Sequence, residues 1–202
     1  MQVISKLALI AIVLSVMIVL IFRDWRIIAL ALGAQYLGAF VLVLLSWPIN
    51  MAIVKLISGW MATAVMVFTS LRCSREELQP ENVANLFFKG LSGLLMIVLI
   101  FILAPPLQRR VFPDVDLLII QGGLIMMGMA LMQLGLNSKP FPVIIGLLTF
   151  LTGFEVIYAA LELSTLLTGL LAVVTLGMAV VGVSMMVSAE EADSVIQEEE
   201  QQ

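Results

Sequence analysis

The chain has 202 residues, of which 62% are hydrophobic and 12% are charged, and its formal net charge is −4. Ordinary soluble domains carry roughly 25% charged residues, so this composition excludes a protein whose main solvent is water. The sequence contains no histidine and a single cysteine, Cys73. An intrachain disulfide is therefore excluded, and a haem, zinc or iron–sulfur site is not expected. We predict no cofactor and no metal site.

The charged residues also argue against nucleic-acid binding and against catalysis. No basic cluster is larger than Arg109-Arg110, so nucleic acid is not an expected partner. The sequence contains no nucleotide-binding loop, nucleophilic triad or cofactor fingerprint. Catalysis by this chain alone is therefore not expected, although membership of an oxidoreductase complex stays open.

Seven apolar runs follow one another along the chain, and each is long enough to cross a bilayer, which takes about 20 residues. The first is preceded by Lys6, as in a signal peptide, but it is longer than a signal core and lacks a small-residue cleavage site. Continuous runs also argue against the alternating pattern of a membrane β-barrel. We predict an all-α, polytopic transmembrane helix bundle over residues 1–187. Its spans are 4–22, 27–47, 49–71, 88–107, 117–137, 143–163 and 165–187.

Small residues recur in three of these runs. Small side chains allow membrane helices to approach closely, so we interpret them as helix-packing positions. They are Gly33, Ala34, Gly38, Gly122, Gly123, Gly128, Gly169, Gly177 and Gly182.

The orientation follows from the Lys and Arg residues near the ends of the runs, because cytoplasmic loops carry an excess of them. With seven spans, one side collects six such residues and the other three. The larger group shares its side with residues 188–202, an acidic segment that we predict to be a disordered cytoplasmic tail. The N-terminus is then outside. The two groups are Arg23, Arg26, Arg72, Arg75, Lys89 and Lys139 against Lys6, Arg109 and Arg110.

Two acidic residues and a tyrosine in the sixth run form a candidate proton pathway. An ionisable residue inside a membrane helix costs at least roughly 2.5–3.5 kcal/mol. Glu155 lies about 18 Å into the run 143–163, near the predicted bilayer middle. Glu162 follows seven residues later on the same helix face, with Tyr158 between them. The alternative is that Glu162 is an ordinary interfacial residue and Glu155 a structural hydrogen-bonding group.

Lys55 lies about six residues into the third run. We favour an ammonium group that extends to the membrane surface along its flexible stem. The alternative is an ion pair with Glu155 or Glu162, which lie in the same outer half of the predicted topology. Three glutamines in apolar runs are expected to form interhelical hydrogen bonds: Gln35, Gln121 and Gln133.

The order of these features resembles that of a known family. The C-terminal part combines a helix, a turn at Lys139, the segment 143–148 and Gly153-Phe154-Glu155, which looks like the Gly-x-Glu of the K subunit of respiratory complex I. Over nearly its whole length the chain resembles the E-type membrane subunit of hydrogenase-4 and formate hydrogenlyase type complexes. There a glutamate belongs to a Met-Glu-Asn-Gly-like motif, and here the carboxylate falls one helical turn later. Further shared positions are Ile27-Ile28-Ala29-Leu30, Gln35, Lys55 and the acidic loop with Pro80.

The resemblance implies a non-catalytic membrane subunit of a proton- or sodium-translocating, complex I-like or membrane-bound hydrogenase-like assembly. Its partners would be membrane lipid and other integral membrane subunits, antiporter-like ones among them, in a prokaryotic cell membrane. Glu155 would be a buried protonatable group. Two alternatives stay open: a purely structural subunit of a respiratory or photosynthetic complex, and a small stand-alone transporter. The transporter ranks last because the sequence shows no convincing internal repeat.

Overall fold

The computed structural model describes residues 2–72 and 83–200. Within these ranges the chain forms seven α-helices and no strand, and all seven helices are long and apolar enough to cross a membrane. The all-α transmembrane bundle is thereby confirmed. Cys73, Arg75 and Pro80 lie outside the described residues. The helices are α1 (Gln2–Ile21), α2 (Trp25–Val43), α3 (Ile49–Arg72), α4 (Val83–Val111), α5 (Leu117–Leu136), α6 (Pro140–Ala159) and α7 (Thr165–Glu200).

The helices form two rows of three, with one helix at the side. In the first row α1, α2 and α3 pack in this order, and in the second row α5, α6 and α7 do. The rows face each other, with α1 against α5, α2 against α6 and α3 against α7, while α4 packs on α1 and α5. In the described residues α3 and α4 do not touch.

Short connectors make successive helices antiparallel, so the two ends of the bundle can be named. The N-terminal side holds the start of α1 and the α2–α3, α4–α5 and α6–α7 connectors, and the opposite side holds the remaining ends. Helices that face each other across the two rows run in the same direction. Polar residues in the connectors fix two of the helix starts: Asp24 accepts the Arg26 N–H before α2, and Asp116 accepts the Leu118 N–H before α5.

Glycines allow the closest approach between α5 and α6. A methyl group on Gly153 would lie 2.7 Å from the Gly123 carbonyl oxygen and 2.9 Å from Met126 Cβ. Gly123 therefore acts as one of the packing positions that the sequence predicts, with Gly153 as its counterpart on α6. Gly33 and Gly177 differ, because a methyl group there would meet nothing within 4 Å among the described residues.

The end of α6 differs from the predicted span. The helix ends at Ala159, and two turn residues, Ala160 and Leu161, lead into a connector that reaches Ser164 before α7 begins. Because the residues on both sides of this break include no glycine or proline, the apolar run conceals it. Glu162 consequently lies in a connector and not on α6.

Helices α4 and α7 are longer than predicted. Pro105 and Pro106 are accommodated within α4, and Arg109 and Arg110 in its last turn favour the negative end of the helix dipole. We predicted a disordered tail from Ser188 onward, but α7 continues to Glu200. Alanine, glutamate and glutamine dominate this stretch and all have good helix propensity, so the helix extends beyond its apolar part.

Candidate buried ion-pair site

Lys55 and Glu155 form an ion pair inside the bundle. Lys55 comes from α3, six residues after that helix begins, and Glu155 comes from α6, four residues before it ends. Their side chains are 6% and 3% exposed, and Lys55 Nζ contacts Glu155 Oε2. The expectation that Lys55 extends to the membrane surface is therefore wrong, because the stem points into the bundle where a carboxylate is available. The alternative, an ion pair with Glu155, is the arrangement found.

The pair lies in the half of the bundle that faces the N-terminal side. At about 1.5 Å per residue, Lys55 is about 9 Å from the start of α3 and Glu155 about 6 Å from the end of α6. The sequence predicts Glu155 near the middle of its span. Because α6 ends at Ala159, Glu155 instead lies close to the end of its helix. The two residues meet because α3 and α6 both pack against α2 and against α7.

Two further side chains, Thr175 and Tyr36, lie beside the pair. The Thr175 hydroxyl of α7 lies 3.3 Å from Glu155 Oε1, and Lys55 Nζ lies 5.4 Å from the centre of the Tyr36 ring. The second distance is within the range of a cation–π interaction. The carboxylate is thus approached by a hydroxyl on one oxygen and by the ammonium group on the other.

A small cavity of about 10 Å³, lined by both apolar and polar side chains, adjoins the pair on its N-terminal side. This volume is about the minimum that one water molecule occupies. Trp47 of the α2–α3 connector borders the cavity and is itself buried, and its indole N–H donates to the Glu162 carbonyl oxygen at 3.0 Å. Trp47 therefore links two connectors directly over the cavity. The cavity is lined by Val43, Trp47, Lys55, Ser58, Glu155, Thr168, Leu171 and Ala172.

Towards the opposite side, apolar side chains fill the space between α2, α3, α6 and α7. Each of them is buried and lies further from the N-terminal side, along its own helix, than the ion pair does. The cluster includes Leu32, Met66, Ile144, Leu148 and Ala179. The pair is thus separated from the opposite side by a thick apolar layer and from the N-terminal side by little more than Trp47.

Some buried polar groups lie within or beside this layer. The Tyr36 hydroxyl is beside Thr152, but the Thr152 hydroxyl donates to the Leu148 carbonyl at 2.7 Å. The Tyr36 hydroxyl, the Gln35 amide and the Thr149 hydroxyl have no hydrogen-bond partner within the described residues. Buried polar groups of this kind commonly bind internal water.

The other members of the predicted proton pathway are not part of this site. Glu162 is exposed in the α6–α7 connector, where its backbone carbonyl and not its carboxylate makes the described contact. Tyr158 is half-buried and stacks on Phe154, with ring centres 5.9 Å apart. Of the four predicted residues, the structure brings together Lys55 and Glu155 only.

Of the three glutamines, Gln133 forms the expected interhelical hydrogen bond. Gln133 of α5 donates to the Pro142 carbonyl of α6 at 3.0 Å. Gln121 is buried in α5, whereas Gln35 remains unpartnered within the described residues.

Sequence reasoning missed Tyr36, Trp47 and the hydroxyl side chains around the pair. The sequence gives little indication of their role, because each of these residues occurs singly among apolar residues or in a connector. It also gave no special place to Lys89, which is only 3% exposed on α4.

Among the described residues, no three His, Cys, Asp or Glu side chains form a group that could hold a metal ion. The chain matches no family model, no curated protein and no solved structure.

Proposed function

We propose that the chain is a non-catalytic membrane subunit of an ion-translocating assembly and that the Lys55–Glu155 pair takes part in moving the ion. The observation that carries this proposal is a pair of opposite charges, both more than nine-tenths buried, beside a small cavity in a transmembrane bundle. Intramembrane ionisable residues are costly and commonly mark ion or proton pathways.

The surroundings of the pair support a change of protonation or of partner. The carboxylate accepts contacts from Lys55 and Thr175, so its charge is stabilised by groups of the protein itself. If a proton neutralises Glu155, the ammonium group loses its counter-ion and must move or lose a proton in turn. Beyond the pair, the hydroxyls of Tyr36 and Thr149, unpartnered within the described residues, offer positions for water that could carry a proton onward.

The kind of assembly comes from the resemblance to the E-type membrane subunit of hydrogenase-4 complexes. It implies antiporter-like membrane partners in a prokaryotic cell membrane, with the N-terminus outside and the C-terminus in the cytoplasm. Exposed apolar residues cover most of the outer faces of α4 and α7. Such faces suit both lipid and neighbouring membrane subunits.

A structural subunit is a second candidate, and the same ion pair favours it. The two charges neutralise each other, and together with Thr175 they connect α3, α6 and α7. A pair that never changes state would only hold these helices together.

The arrangement of the helices in two rows favours the stand-alone transporter more than the sequence does. Helices α1–α3 and α5–α7 have the same order and the same directions, as in transporters built from parallel repeats. The ion pair lies where three helices of the two rows meet. This candidate predicts a chain that works without partners.

The first test is purification of the tagged full-length chain in a mild detergent, followed by mass spectrometry of the proteins that accompany it. Antiporter-like and hydrogenase-like or quinone-reductase-like partners support the proposal. Light-harvesting or cytochrome partners favour the structural subunit, and a solitary chain favours the transporter.

The second test is ion translocation by the assembled complex with Glu155→Gln, which keeps the shape of the side chain and removes its charge. We expect translocation to fall while the complex still assembles. Glu162→Gln is the matched control, because that carboxylate is exposed and lies outside the site. Normal translocation by an assembled Glu155→Gln complex would contradict the proposal.

A further inference from the structure

Two consecutive prolines deprive one backbone carbonyl of α4 of its hydrogen-bond donors within the helix. Pro105 and Pro106 lie inside α4, and proline has no backbone N–H. In a helix the carbonyl of residue i accepts from the N–H of residue i+4, or from that of residue i+3 where the helix tightens. For Ile102 these two residues are Pro106 and Pro105. The Ile102 carbonyl therefore needs a donor from outside the regular helix pattern.

This carbonyl lies on the outer face of α4. Ile102 is 68% exposed, and Pro106 is exposed as well. The carbonyl of residue i points along the helix towards residue i+4, so it opens between these two exposed residues. Within the described part of the chain, α4 packs only against α1 and α5. The Ile102 carbonyl consequently faces the surroundings of the bundle.

Ile102 also lies inside the hydrocarbon layer of the membrane. Lys89 and Arg109 bound the charge-free part of α4 and are 20 positions apart, which corresponds to about 30 Å of helix, the thickness of a bilayer core. Ile102 precedes Arg109 by seven residues, so it is about 10 Å inside this layer. Lipid tails offer no donor, and prolines are tolerated in membrane helices where neighbouring helices, hydroxyl side chains or water satisfy the freed backbone group.

We propose that this outer face of α4 is the surface through which the chain joins its assembly, and that it binds a transmembrane helix of a different subunit. That helix carries a hydroxyl, amide or indole donor at the level of Ile102. The donor binds the Ile102 carbonyl, and the apolar side chains around it form the rest of the contact. This inference deepens the proposed function, on which it rests, by naming the surface and the chemistry of the partner.

The remainder of the face suits helix packing. Leu95, Val98 and Leu99 are exposed, and their spacing places them in one stripe with Ile102. The outer face of α7 is also apolar, but α7 contains no proline. Its carbonyls keep their donors within the helix up to the last turn. Lipid therefore suits α7, whereas α4 needs a donor.

The sequence of α4 argues against a symmetric pair of copies as the occupant. All residues from Leu94 to Pro106 are apolar, so this stretch offers no side-chain donor. In a two-fold dimer the same surface patch meets itself, and the two Ile102 carbonyls would face each other without a donor. A different chain can supply one.

Photocrosslinking in the purified assembly tests the proposal. The photoreactive amino acid p-benzoylphenylalanine replaces Leu99, which lies one turn from Ile102 on the same face. The full-length chain is irradiated together with the subunits that purify with it, and mass spectrometry identifies the crosslinked peptide. We expect a transmembrane segment of a different subunit that contains a hydroxyl, amide or indole side chain. Crosslinks to lipid alone, or to a second copy of this chain, would overturn the inference.

Replacing the prolines tests the role of the carbonyl itself. Pro105→Ala combined with Pro106→Ala returns both N–H groups to the helix, so the Ile102 carbonyl no longer needs an external donor. The variant should fold, because alanine favours a helix far more than proline does. We expect its affinity for the partner, measured from the crosslink yield as the complex is diluted in detergent, to fall about threefold to twentyfold, the effect of one interhelical hydrogen bond in a membrane.

Two further measurements complete this test. Pro106→Ala alone restores the i+4 donor and should weaken binding in the same direction. The matched control carries p-benzoylphenylalanine at Val180, which is exposed on α7, and its crosslink yield should not depend on the prolines. An unchanged yield at Leu99 in both proline variants would contradict the inference.

These outcomes are separate from those of the proposed function. If other subunits purify with the chain but Leu99 crosslinks only to lipid, the inference fails and ion movement through the Lys55–Glu155 pair is untouched. If Leu99 crosslinks to a membrane subunit as expected while the assembled Glu155→Gln complex translocates normally, the α4 surface stands and the ion-moving role fails.

Discussion

Lys55 of α3 and Glu155 of α6 meet inside the bundle although they lie 100 positions apart in the sequence. Both side chains are buried, and each supplies the counter-ion of the other. Their contact is made possible by the two-row packing, which places α3, α6 and α7 around one cavity. The functional and the structural interpretations of the chain both depend on this contact.

Replacing the two charges separately and together should give very different stabilities. Lys55→Met or Glu155→Leu alone leaves one buried charge unpaired, and we expect a loss of about 3–5 kcal/mol in the free energy of unfolding. The double replacement removes both charges and should lie close to the wild type. Unfolding in detergent micelles with increasing SDS measures all four proteins.

The large losses expected for the single replacements depend on the burial of the pair away from water. If the single replacements cost less than about 1 kcal/mol, as surface pairs do, the pair is accessible to water and the described burial is contradicted.

Trp47→Phe should destabilise the chain by removing the indole N–H that donates to the Glu162 carbonyl. A net loss of about 0.5–1.5 kcal/mol is expected from the hydrogen bond, with a further loss from the smaller ring. Trp60→Phe is the matched control, because Trp60 is 49% exposed and its N–H is 3.4 Å from the Gly33 carbonyl. Equal effects of the two replacements would mean that Trp47 does not connect the two loops.

Gly153→Ala should be costly because the added methyl group would lie 2.7 Å from the Gly123 carbonyl oxygen. Overpacking of this kind typically costs about 1–3 kcal/mol. Gly177→Ala is the control, since a methyl group there meets nothing within 4 Å among the described residues and alanine favours a helix by about 0.5–1 kcal/mol over glycine. Thermal unfolding of both variants in the same detergent should therefore shift in opposite directions, and a stable Gly153→Ala protein would argue against the close α5–α6 contact.

Glu162→Gln and Tyr158→Phe should be nearly silent. Glu162 is exposed in a connector, and the described contact of Tyr158 is with the Phe154 ring. Stability should change by no more than about 0.5 kcal/mol, and translocation by the assembled complex should be retained. Loss of translocation in either variant would restore these residues to the ion pathway.

The number and order of the helices are accessible from the sequence because bilayer thickness sets a simple length requirement. The end of α6 is not, because Leu161 and Leu163 continue the apolar pattern through a connector that contains neither glycine nor proline. That error placed Glu162 beside Glu155 on one helix face, whereas Tyr158 does lie on α6 but stacks on Phe154. An apolar pattern reports on depth in the membrane and not on backbone hydrogen bonds.

Tertiary packing supplies the remainder of the site. From the sequence alone Lys55 could have several partners. It meets Glu155 because α3 and α6 both pack against α2 and against α7. Thr175 is one hydroxyl in a long apolar run, and Trp47 is one aromatic residue in a connector, so neither is distinctive before the helices are assembled. The two-row arrangement is likewise invisible in the sequence, where the corresponding helices share no evident pattern.

The most direct test of the account is ion translocation by the assembled complex that carries Lys55→Met together with Glu155→Gln. This double replacement removes both buried charges, so the helices should pack and the complex should assemble as in the wild type. If the pair takes part in moving the ion, translocation is lost in a fully assembled complex. Translocation at the wild-type rate would show that the pair only holds the helices together and would contradict the central proposal.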